Sequence, residues 1–225
     1  MPIQFRYAPE IRSRFPQLRS RTLLVDGIGA KADPSAEIAR LVATADDRLS
    51  AASEGEFPEI QAWRRAFTAI GLKPTQYRCA SEALLRRYRK EGSLPALHPL
   101  IDLCNAASLA FAIPVAVFDT SKITGTMTVR PAHGDETYET FGGEIEHPEP
   151  GEVIFADDNG RAHARRWTNR QSGWSAVRPE TTQALIVTEA LHQTADNDVM
   201  TLTASLAEAL AAIWPAVAVT GLEPQ

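Results

Sequence analysis

Residues 77–119, YRCASEALLRRYRKEGSLPALHPLIDLCNAASLAFAIPVAVFD, contain the pattern that decides the predicted fold. A first helix is predicted to begin after Ser81 and to end at Gly92, because serine suits an N-cap and glycine suits the position after a helix. A proline-punctuated turn follows, and apolar residues at helical spacing predict a second helix over Pro99–Phe111. Residues 114–119, PVAVFD, then predict a short strand that ends in an acid.

Asn105 lies within this otherwise apolar second helix, where a polar side chain is costly unless it is paired. Two interpretations follow. Either the amide bridges a neighbouring loop by hydrogen bonds, as most buried amides do, or it faces a functional pocket. The residue chemistry alone favours the first interpretation.

Outside this stretch the chain predicts helices first and strands later, which is the order of an α+β fold. Helices are predicted to begin at residues 34, 58 and 200, the last ending at residue 213. Apolar alternation and buried runs predict the strands at residues 21–27, 126–130, 136–141, 152–157, 161–168 and 183–190.

We therefore expect a mostly antiparallel central sheet flanked by helices. Residues 1–61 are interpreted as an N-terminal extension that opens with a polar lead and packs on a domain formed by residues 62–225. The tail from residue 215 is expected to fray.

The chain has 225 residues and a formal net charge of -5. This acidic balance argues against non-specific nucleic-acid binding, which requires many lysines and arginines to neutralise phosphates, so we expect no DNA partner. The first residues lack the apolar core of a secretory signal, and no stretch is long enough to span a bilayer. A cytoplasmic protein without a membrane partner is therefore expected, and the sequence leaves its oligomeric state open.

Basic residues are nevertheless concentrated in two segments, residues 64–90 and 161–170. They form either a solvated helix face or a surface that contacts RNA, and the pattern supports both interpretations equally. Lys73 follows the glycine that ends the preceding helix. It would reach a phosphate if this surface contacts RNA, and only water if the surface is a solvated helix face. The candidate RNA contacts are Lys73, Arg86, Arg87 and Arg166.

Polar residues beside apolar runs are the candidate site residues. Asn105, Asp119 and Glu189 each adjoin an element predicted to be buried, and a polar loop adds Asn169 and Arg170. If the second central helix shares a core with the sheet, these side chains line one cleft.

Other chemistries have weaker signals. No Ser-His-Asp or Cys-His order is evident, and Cys104 is a poor candidate nucleophile because an apolar helix would raise the pKa of its thiol. The five histidines are scattered, and the acids Asp157 and Asp158 predict a hairpin turn rather than a calcium loop. We therefore expect no metal and no cofactor.

The order of four motifs, SEALLRR, IDLCNAASL, IPVAVFD and GEIEHPEPGEVIFADD, resembles the B3/B4 domain family. That domain occurs in the β subunit of bacterial phenylalanyl-tRNA synthetase, where it removes mischarged tyrosine from the tRNA, and in free-standing proteins. The resemblance spans residues 62–191 and implies a fold of the same kind.

The resemblance also implies roles for individual residues. An asparagine on the helix before the strand lines the editing pocket of the synthetase domain, and Asn105 matches it. A glutamate at the end of the last core strand recognises the tyrosine hydroxyl there, and Glu189 matches it. The loop over the pocket is bulky and charged here instead of glycine-rich, and Ala116 stands where the synthetase has a histidine. These departures argue against the same specificity and against a histidine-dependent step at residue 116.

Three functions fit these residues. The first is a trans-acting aminoacyl-tRNA deacylase, in which Asn105 holds water, Glu189 selects the side chain and the basic segments approach the acceptor end of an aminoacylated tRNA. Because the ester is already activated, positioning and charge screening would suffice for hydrolysis. The second is a noncatalytic module that binds an RNA end, an amino acid or a metabolite, and the third is an interaction domain with a closed pocket. The resemblance favours the first, which depends on Asn105 and Glu189 sharing one hollow.

Overall fold

The strands of the protein fall into two main sheets, which a computed structural model describes within residues 3–222. The strands are β1 (Gln4–Tyr7), β2 (Arg19–Asp26), β3 (Val115–Asp119), β4 (Thr126–Pro131), β5 (Tyr138–Glu139), β6 (Ile145–Glu146), β7 (Val153–Ala156), β8 (Ala162–Arg165), β9 (Arg170–Gln171), β10 (Gln183–Ala190) and β11 (Ala218–Leu222). The helices are α1 (Pro9–Arg14), α2 (Ser35–Ala51), α3 (Pro58–Ala69), α4 (Ala80–Glu91), α5 (Pro99–Phe111) and α6 (Ala195–Ile213).

One sheet has the order β1-β4-β7-β8-β9 and the other has the order β11-β2-β10-β3. The pairs are antiparallel except β1 with β4, which is parallel, and β5 and β6 form a separate small ribbon. The α+β class and the mostly antiparallel pairing are therefore confirmed. The strands, however, are divided between two sheets instead of forming a single central one.

Both faces of the four-stranded sheet are buried, and alternate residues of β10 pack into the core on one face or the core on the other. Leu185 and Val187 pack in a core shared with α3 and the five-stranded sheet. Ala184 and Ile186 pack in a second core with α2, α5 and α6. Because successive strand residues point to opposite faces, the parity of a residue on β10 decides which core it enters.

Two chain ends differ from the sequence prediction. The expected polar lead contains β1, whose Phe5 and Tyr7 are buried against β4. The tail expected to fray contains β11, which pairs with β2 over residues 218–222, while residues 223–225 lie outside the described residues. Both strands are short, and their sequences gain stability from pairing with distant strands rather than from local propensity.

Several predicted boundaries also shift. Helix α4 begins at Ala80, and its first amide donates to the backbone oxygen of Thr168 at 2.9 Å, so Ser81 is a buried helical residue instead of the N-cap. Helix α6 begins at Ala195, before the predicted residue 200. The strands predicted at 136–141 and 161–168 shorten to β5 and β8.

The first 61 residues are paired with later strands through β1 and β2. The division of the chain at residues 61 and 62 stays a prediction. Among residues 3–222, no helix is both long and apolar enough to cross a membrane.

Candidate functional site

Glu189 lies near the end of β10, on the face that packs toward the five-stranded sheet, as its parity with Leu185 and Val187 requires. The residue is 2% exposed. Its Oε1 atom accepts hydrogen bonds from the Tyr7 hydroxyl at 2.7 Å and from Nε1 of Trp167 at 2.9 Å. Since Tyr7 lies on β1 and Trp167 follows β8, this one oxygen links the two sheets.

Burial raises the pKa of Glu189 to about 7, because a carboxylate removed from water loses the solvation of its charged form. The hydrogen bonds from Trp167 and Tyr7 and the charge of Arg12 act in the opposite direction without cancelling this effect. Burial, followed by the charge of Glu189, also raises the pKa of Tyr7. A carboxyl group that titrates near neutral pH can accept or donate a proton during a reaction.

The turn after β8 holds Trp167 against this acid in a strained conformation. Arg166 and Trp167 have φ angles of 48° and 58°, a region that residues other than glycine rarely occupy. The Arg166 amide donates to Oε1 of Glu152 at 2.9 Å, and the Trp167 amide donates to the backbone oxygen of Val153 at 2.7 Å. Such strain persists only where surrounding contacts fix it, and it is frequent at functional sites.

A cleft of about 60 Å³ opens beside Glu189, between the edge strand β3 and the turn after β8. This volume is small compared with the several hundred Å³ of most ligand pockets. Thr168 is one of the residues that line the cleft, and its hydroxyl oxygen is buried without a hydrogen-bond partner. The lining residues are Ala80, Pro114, Val115, Ala116, Phe155, Ala164, Trp167, Thr168, Asn169, Arg170, Gln171, Val187 and Glu189.

Three of the predicted site residues meet at this cleft: Glu189, Asn169 and Arg170. The Asn169 amide nitrogen donates to the backbone oxygen of Arg78 at 2.7 Å, which ties the cleft to the start of α4. Nη1 of Arg170 donates to the Glu146 carboxylate at 3.1 Å. These contacts establish where the residues lie, and their roles in binding stay predictions.

Asn105 does not share this cleft, so the predicted convergence of Asn105 and Glu189 on one hollow is wrong. Asn105 lies on α5 and lines a separate pocket of about 280 Å³ between α2, α4 and the α4–α5 loop. Helix α5 packs on the other face of the four-stranded sheet from Glu189. Among residues 3–222, the Asn105 side chain makes no hydrogen bond, so the loop-bridging interpretation also fails.

Asp119 is also separated from the cleft, because it ends β3 at the far side from Val115. Asp119 is four positions along the strand from Val115, a distance of about 13 Å. The Asp119 carboxylate accepts from the amide and hydroxyl of Ser121 at 2.9 and 2.7 Å and from the Thr181 hydroxyl at 2.7 Å. It therefore caps the turn after β3 and does not line the cleft with Glu189.

None of the four candidate RNA contacts lines the cleft: Lys73 and Arg166 lie in the α3–α4 loop and in the turn after β8, and Arg86 and Arg87 lie on α4. The Arg166 guanidinium lies 4.8 Å from the ring centre of Tyr77, in the exposed loop that also carries Lys73. Arg86 pairs with Glu54 at 3.2 Å and Arg87 pairs with Glu91 at 2.9 Å. Arg86 lies about 9 Å along the helix from Ala80, which lines the cleft.

Cys104 is buried, as predicted for a poor nucleophile, and Cys79 is buried too. Burial raises the pKa of Cys79 to about 11 and that of Cys104 to about 12. Neither thiol forms appreciable thiolate near neutral pH.

Sequence reasoning missed Tyr7 and Thr168. Tyr7 lies in a segment interpreted as a polar lead, although the alternation of Phe5 and Tyr7 with polar residues was a usable strand signal. No local pattern marks Thr168, because its hydroxyl becomes an unpartnered atom only when the turn folds against β3 and α4. The cleft also contains Ala116, so no histidine acts from that position.

Comparisons with known proteins agree on this fold. The model of the B3/4 domain matches residues 62–201. The phenylalanine–tRNA ligase β subunit of Nitrobacter winogradskyi is 34% identical over 79 residues, which are 35% of this chain and only 10% of that protein.

A solved structure, an N-terminal fragment of the phenylalanyl-tRNA synthetase β subunit from Pyrococcus horikoshii, matches 97% of this chain and 50% of that chain. Its TM-score is 0.54 and its sequence identity is 12%, so this likeness concerns the fold.

Proposed function

The chain belongs to the B3/4 domain family, and from this premise we propose that it hydrolyses the ester of mischarged tRNA in trans, at the Glu189 cleft. The relatives named above are β subunits of an enzyme that joins phenylalanine to tRNA, which supports a tRNA-related ligand in general. The match covers 10% of one of those proteins and 50% of the other chain, so their activities are carried here only as part of the proposal.

The observation that carries the proposal is the burial of Glu189 beside the cleft, together with the raised pKa of its carboxyl group. A buried acid with a pKa near 7 lines a cleft in which the Thr168 hydroxyl oxygen has no partner. In its ionised form Glu189 takes a proton from water as the water attacks the ester, and in its protonated form it returns one to the leaving ribose hydroxyl. Thr168 offers a hydroxyl that can orient the same water.

No covalent intermediate is needed for this reaction. An aminoacyl ester is already activated, so a positioned water and a nearby general base supply much of the required acceleration. The buried thiols of Cys79 and Cys104 stay protonated and take no part. Asn105 has no role in this mechanism because it lines a different cavity.

The size of the cleft indicates a small amino acid. About 60 Å³ accommodates a short side chain, whereas an aromatic ring needs more room. The Glu189 oxygen that would recognise a tyrosine hydroxyl already accepts one from Tyr7 of the chain itself. We therefore expect selection for small side chains instead of tyrosine.

The acceptor end would approach from the α3–α4 loop, where Lys73 is exposed and Arg166 stacks on Tyr77. Arg170 borders the cleft and is close enough to contact the substrate, with Asn169 beside it. Arg86 and Arg87 lie further along α4, where RNA would have to compete with Glu54 and Glu91 for them.

The test follows ester loss from a panel of mischarged tRNAs that carry small, branched and aromatic amino acids. We expect hydrolysis of one or more small aminoacyl-tRNAs, with a rate that falls at least a hundredfold in Glu189→Gln and about tenfold in Thr168→Ala. Glu144→Gln, a change of an exposed acid, is the matched control. Cleavage of none of the esters, while a synthetase editing domain cleaves its own substrate in parallel, would overturn the proposal.

A second candidate function is ligand binding without turnover, at the pocket that Asn105 lines. The pocket is mainly apolar, it is more than four times larger than the cleft, and it contains the Asn105 amide and the Asp102 carboxylate. These groups suit an amino acid or a related metabolite with an apolar side chain and an ammonium group. Calorimetry with the free amino acids tests it, and loss of binding in Asn105→Ala without a change in any hydrolysis rate would support it.

A further inference from the structure

A second buried polar cluster lies where β10 leads into α6 and α3 packs against β10. Glu59 lies in the first turn of α3, His192 follows β10, and Asp198 lies in the first turn of α6. Each residue offers a donor atom, and the three donor atoms lie within 4.8 Å of one another. Three separate elements therefore bring nitrogen and oxygen donors to one place.

Two acceptor atoms in this cluster are buried without a hydrogen-bond partner: Oε2 of Glu59 and Nδ1 of His192. The two residues are 9% and 7% exposed. A buried polar atom that has lost water and gained no partner costs free energy, so such atoms are uncommon in native proteins. Both atoms belong to residues of the same cluster, which points to an additional group that satisfies both.

The other hydrogen bonds of the cluster indicate which kind of partner the two unsatisfied atoms would accept. The second ring nitrogen of His192, Nε2, lies 2.7 Å from Oδ2 of Asp198, which also accepts from the Thr194 hydroxyl at 2.6 Å. This contact places the imidazole proton on Nε2 and leaves a lone pair on Nδ1. A carboxylate that holds one ring nitrogen while the other is free is the arrangement that orients a metal-binding histidine.

The local charge also favours a cation. Two carboxylates, from Glu59 and Asp198, lie beside the imidazole of His192, and Arg48 pairs with one of them through a 2.8 Å contact between its Nη2 and Oε1 of Glu59. A lone pair on nitrogen and a carboxylate oxygen both require a positive or hydrogen-donating partner. The combination of imidazole and carboxylate suits zinc and similar ions, whereas magnesium and calcium prefer oxygen ligands alone.

We propose that this cluster binds one divalent transition-metal ion of the zinc class, with Glu59 and His192 as ligands and Asp198 as the residue that positions His192. The ion links α3, the segment after β10 and the start of α6. Water completes its coordination, since these residues do not fill all of the four positions that zinc usually uses.

The test uses zinc chloride as the probe with the full chain, followed by calorimetry and by elemental analysis after gel filtration. We expect one zinc ion per chain, at least tenfold weaker binding in His192→Gln, and about tenfold weaker binding in Asp198→Asn. Zinc should also raise the melting temperature of the wild type but not that of His192→Gln, because a ligand that binds only the folded state stabilises it.

The matched control is His133→Gln, which changes an exposed histidine in the other group of potential ligands, His133, Asp135 and Glu136. This variant should bind zinc as the wild type does. If His192→Gln does not fold, as judged by circular dichroism, then Glu59→Gln takes its place. The proposal is wrong if the wild type binds no zinc, if zinc binding survives unchanged in the folded variant, or if the control loses it.

Discussion

The cleft at Glu189 and the pocket at Asn105 differ in how the hydrogen-bonding groups of these two residues are satisfied. In the Glu189 cleft the acid is bonded by Tyr7 and Trp167, and the free space is about 60 Å³. In the Asn105 pocket the space is about 280 Å³, and the Asn105 amide has no partner among the described residues. In the cleft, the protein itself supplies the hydrogen-bond donors to Glu189. In the pocket, the Asn105 amide is available to a ligand or to water.

This contrast shows what a residue match along the chain can establish. Asn105 and Glu189 both matched positions of a known pocket, yet they line two different cavities. Position in a motif identifies an element, while the face of that element decides which cavity a side chain enters. The groups in the tightly bonded cleft should therefore affect stability far more than those in the open pocket.

The largest loss in the free energy of unfolding is expected on substitution of Trp167. Trp167→Ala removes a fully buried indole that packs against Trp63 and Phe15 and donates to Glu189, so we expect a loss of about 3–5 kcal/mol in the free energy of unfolding. Urea denaturation at neutral pH measures it. Trp174→Ala, at a half-exposed indole, is the control and should cost clearly less. Equal losses in the two variants would show that the cleft is not specially packed.

The next effect concerns pH. The folded-state pKa of Glu189 is raised to about 7 from an ordinary value of 4.5, so the folded protein keeps a proton that the unfolded chain releases. The free energy of unfolding should therefore fall as pH rises from about 4.5 to 7, by about 3 kcal/mol from this residue. In Glu189→Gln that part of the pH dependence should disappear, as urea titrations across pH 5–8 would measure.

Glu136→Gln provides the opposite case. Burial alone would raise the pKa of Glu136, but the amides of His133 and Gly134 and the Arg130 guanidinium outweigh burial and lower it to about 2. Its stabilising contribution is therefore lost as pH falls from about 4.5 to 2, and the pH 5–8 slope should survive in this variant. A slope that survives equally in Glu189→Gln would contradict the raised pKa of Glu189.

A smaller effect is expected for Tyr7. Tyr7→Phe removes one of the two hydrogen bonds to Oε1 of Glu189, which should cost about 1–2 kcal/mol. Because that bond lowers the pKa of Glu189, the pKa should rise further in the variant, moving the pH profile upward. Tyr88→Phe, which removes a 2.8 Å bond to the exposed Asp46, is the control and should change stability less. A variant as stable as wild type would indicate that the Tyr7 bond is weak.

The smallest effect is expected in the open pocket. Asn105→Ala removes an amide that has no hydrogen bond within the described part of the chain, so the free energy of unfolding should change by less than about 0.5 kcal/mol. The same urea experiment measures this change. A loss above about 1.5 kcal/mol would mean that the amide is engaged by an ordered water.

Local patterns in the sequence predicted some elements accurately. Helix α5 runs over Pro99–Phe111 as its apolar spacing and first proline indicate, and β10 follows its apolar run. The family and the α+β class were also predictable, since ordered motifs are retained along the chain. These features depend on neighbouring residues, which sequence displays directly.

Long-range pairing was not predictable in the same way. The division into two sheets depends on which strands pair, and short strands such as β11 have weak local signals. The buried pair of Tyr7 and Glu189 joins residues that no local window contains. The unpartnered hydroxyl of Thr168 and the Glu59–His192 cluster likewise arise only where separate elements meet.

The strand that carries Tyr7 has a consequence for protein synthesis. Tyr7 and Glu189 are 182 positions apart, and β1 pairs with β4, which begins at Thr126. A ribosome therefore makes β1 long before either partner exists, and the nascent chain carries Phe5 and Tyr7 on an unpaired strand until β4 has been made. The Tyr7–Glu189 contact that closes the cleft can form only after β10 has left the exit tunnel.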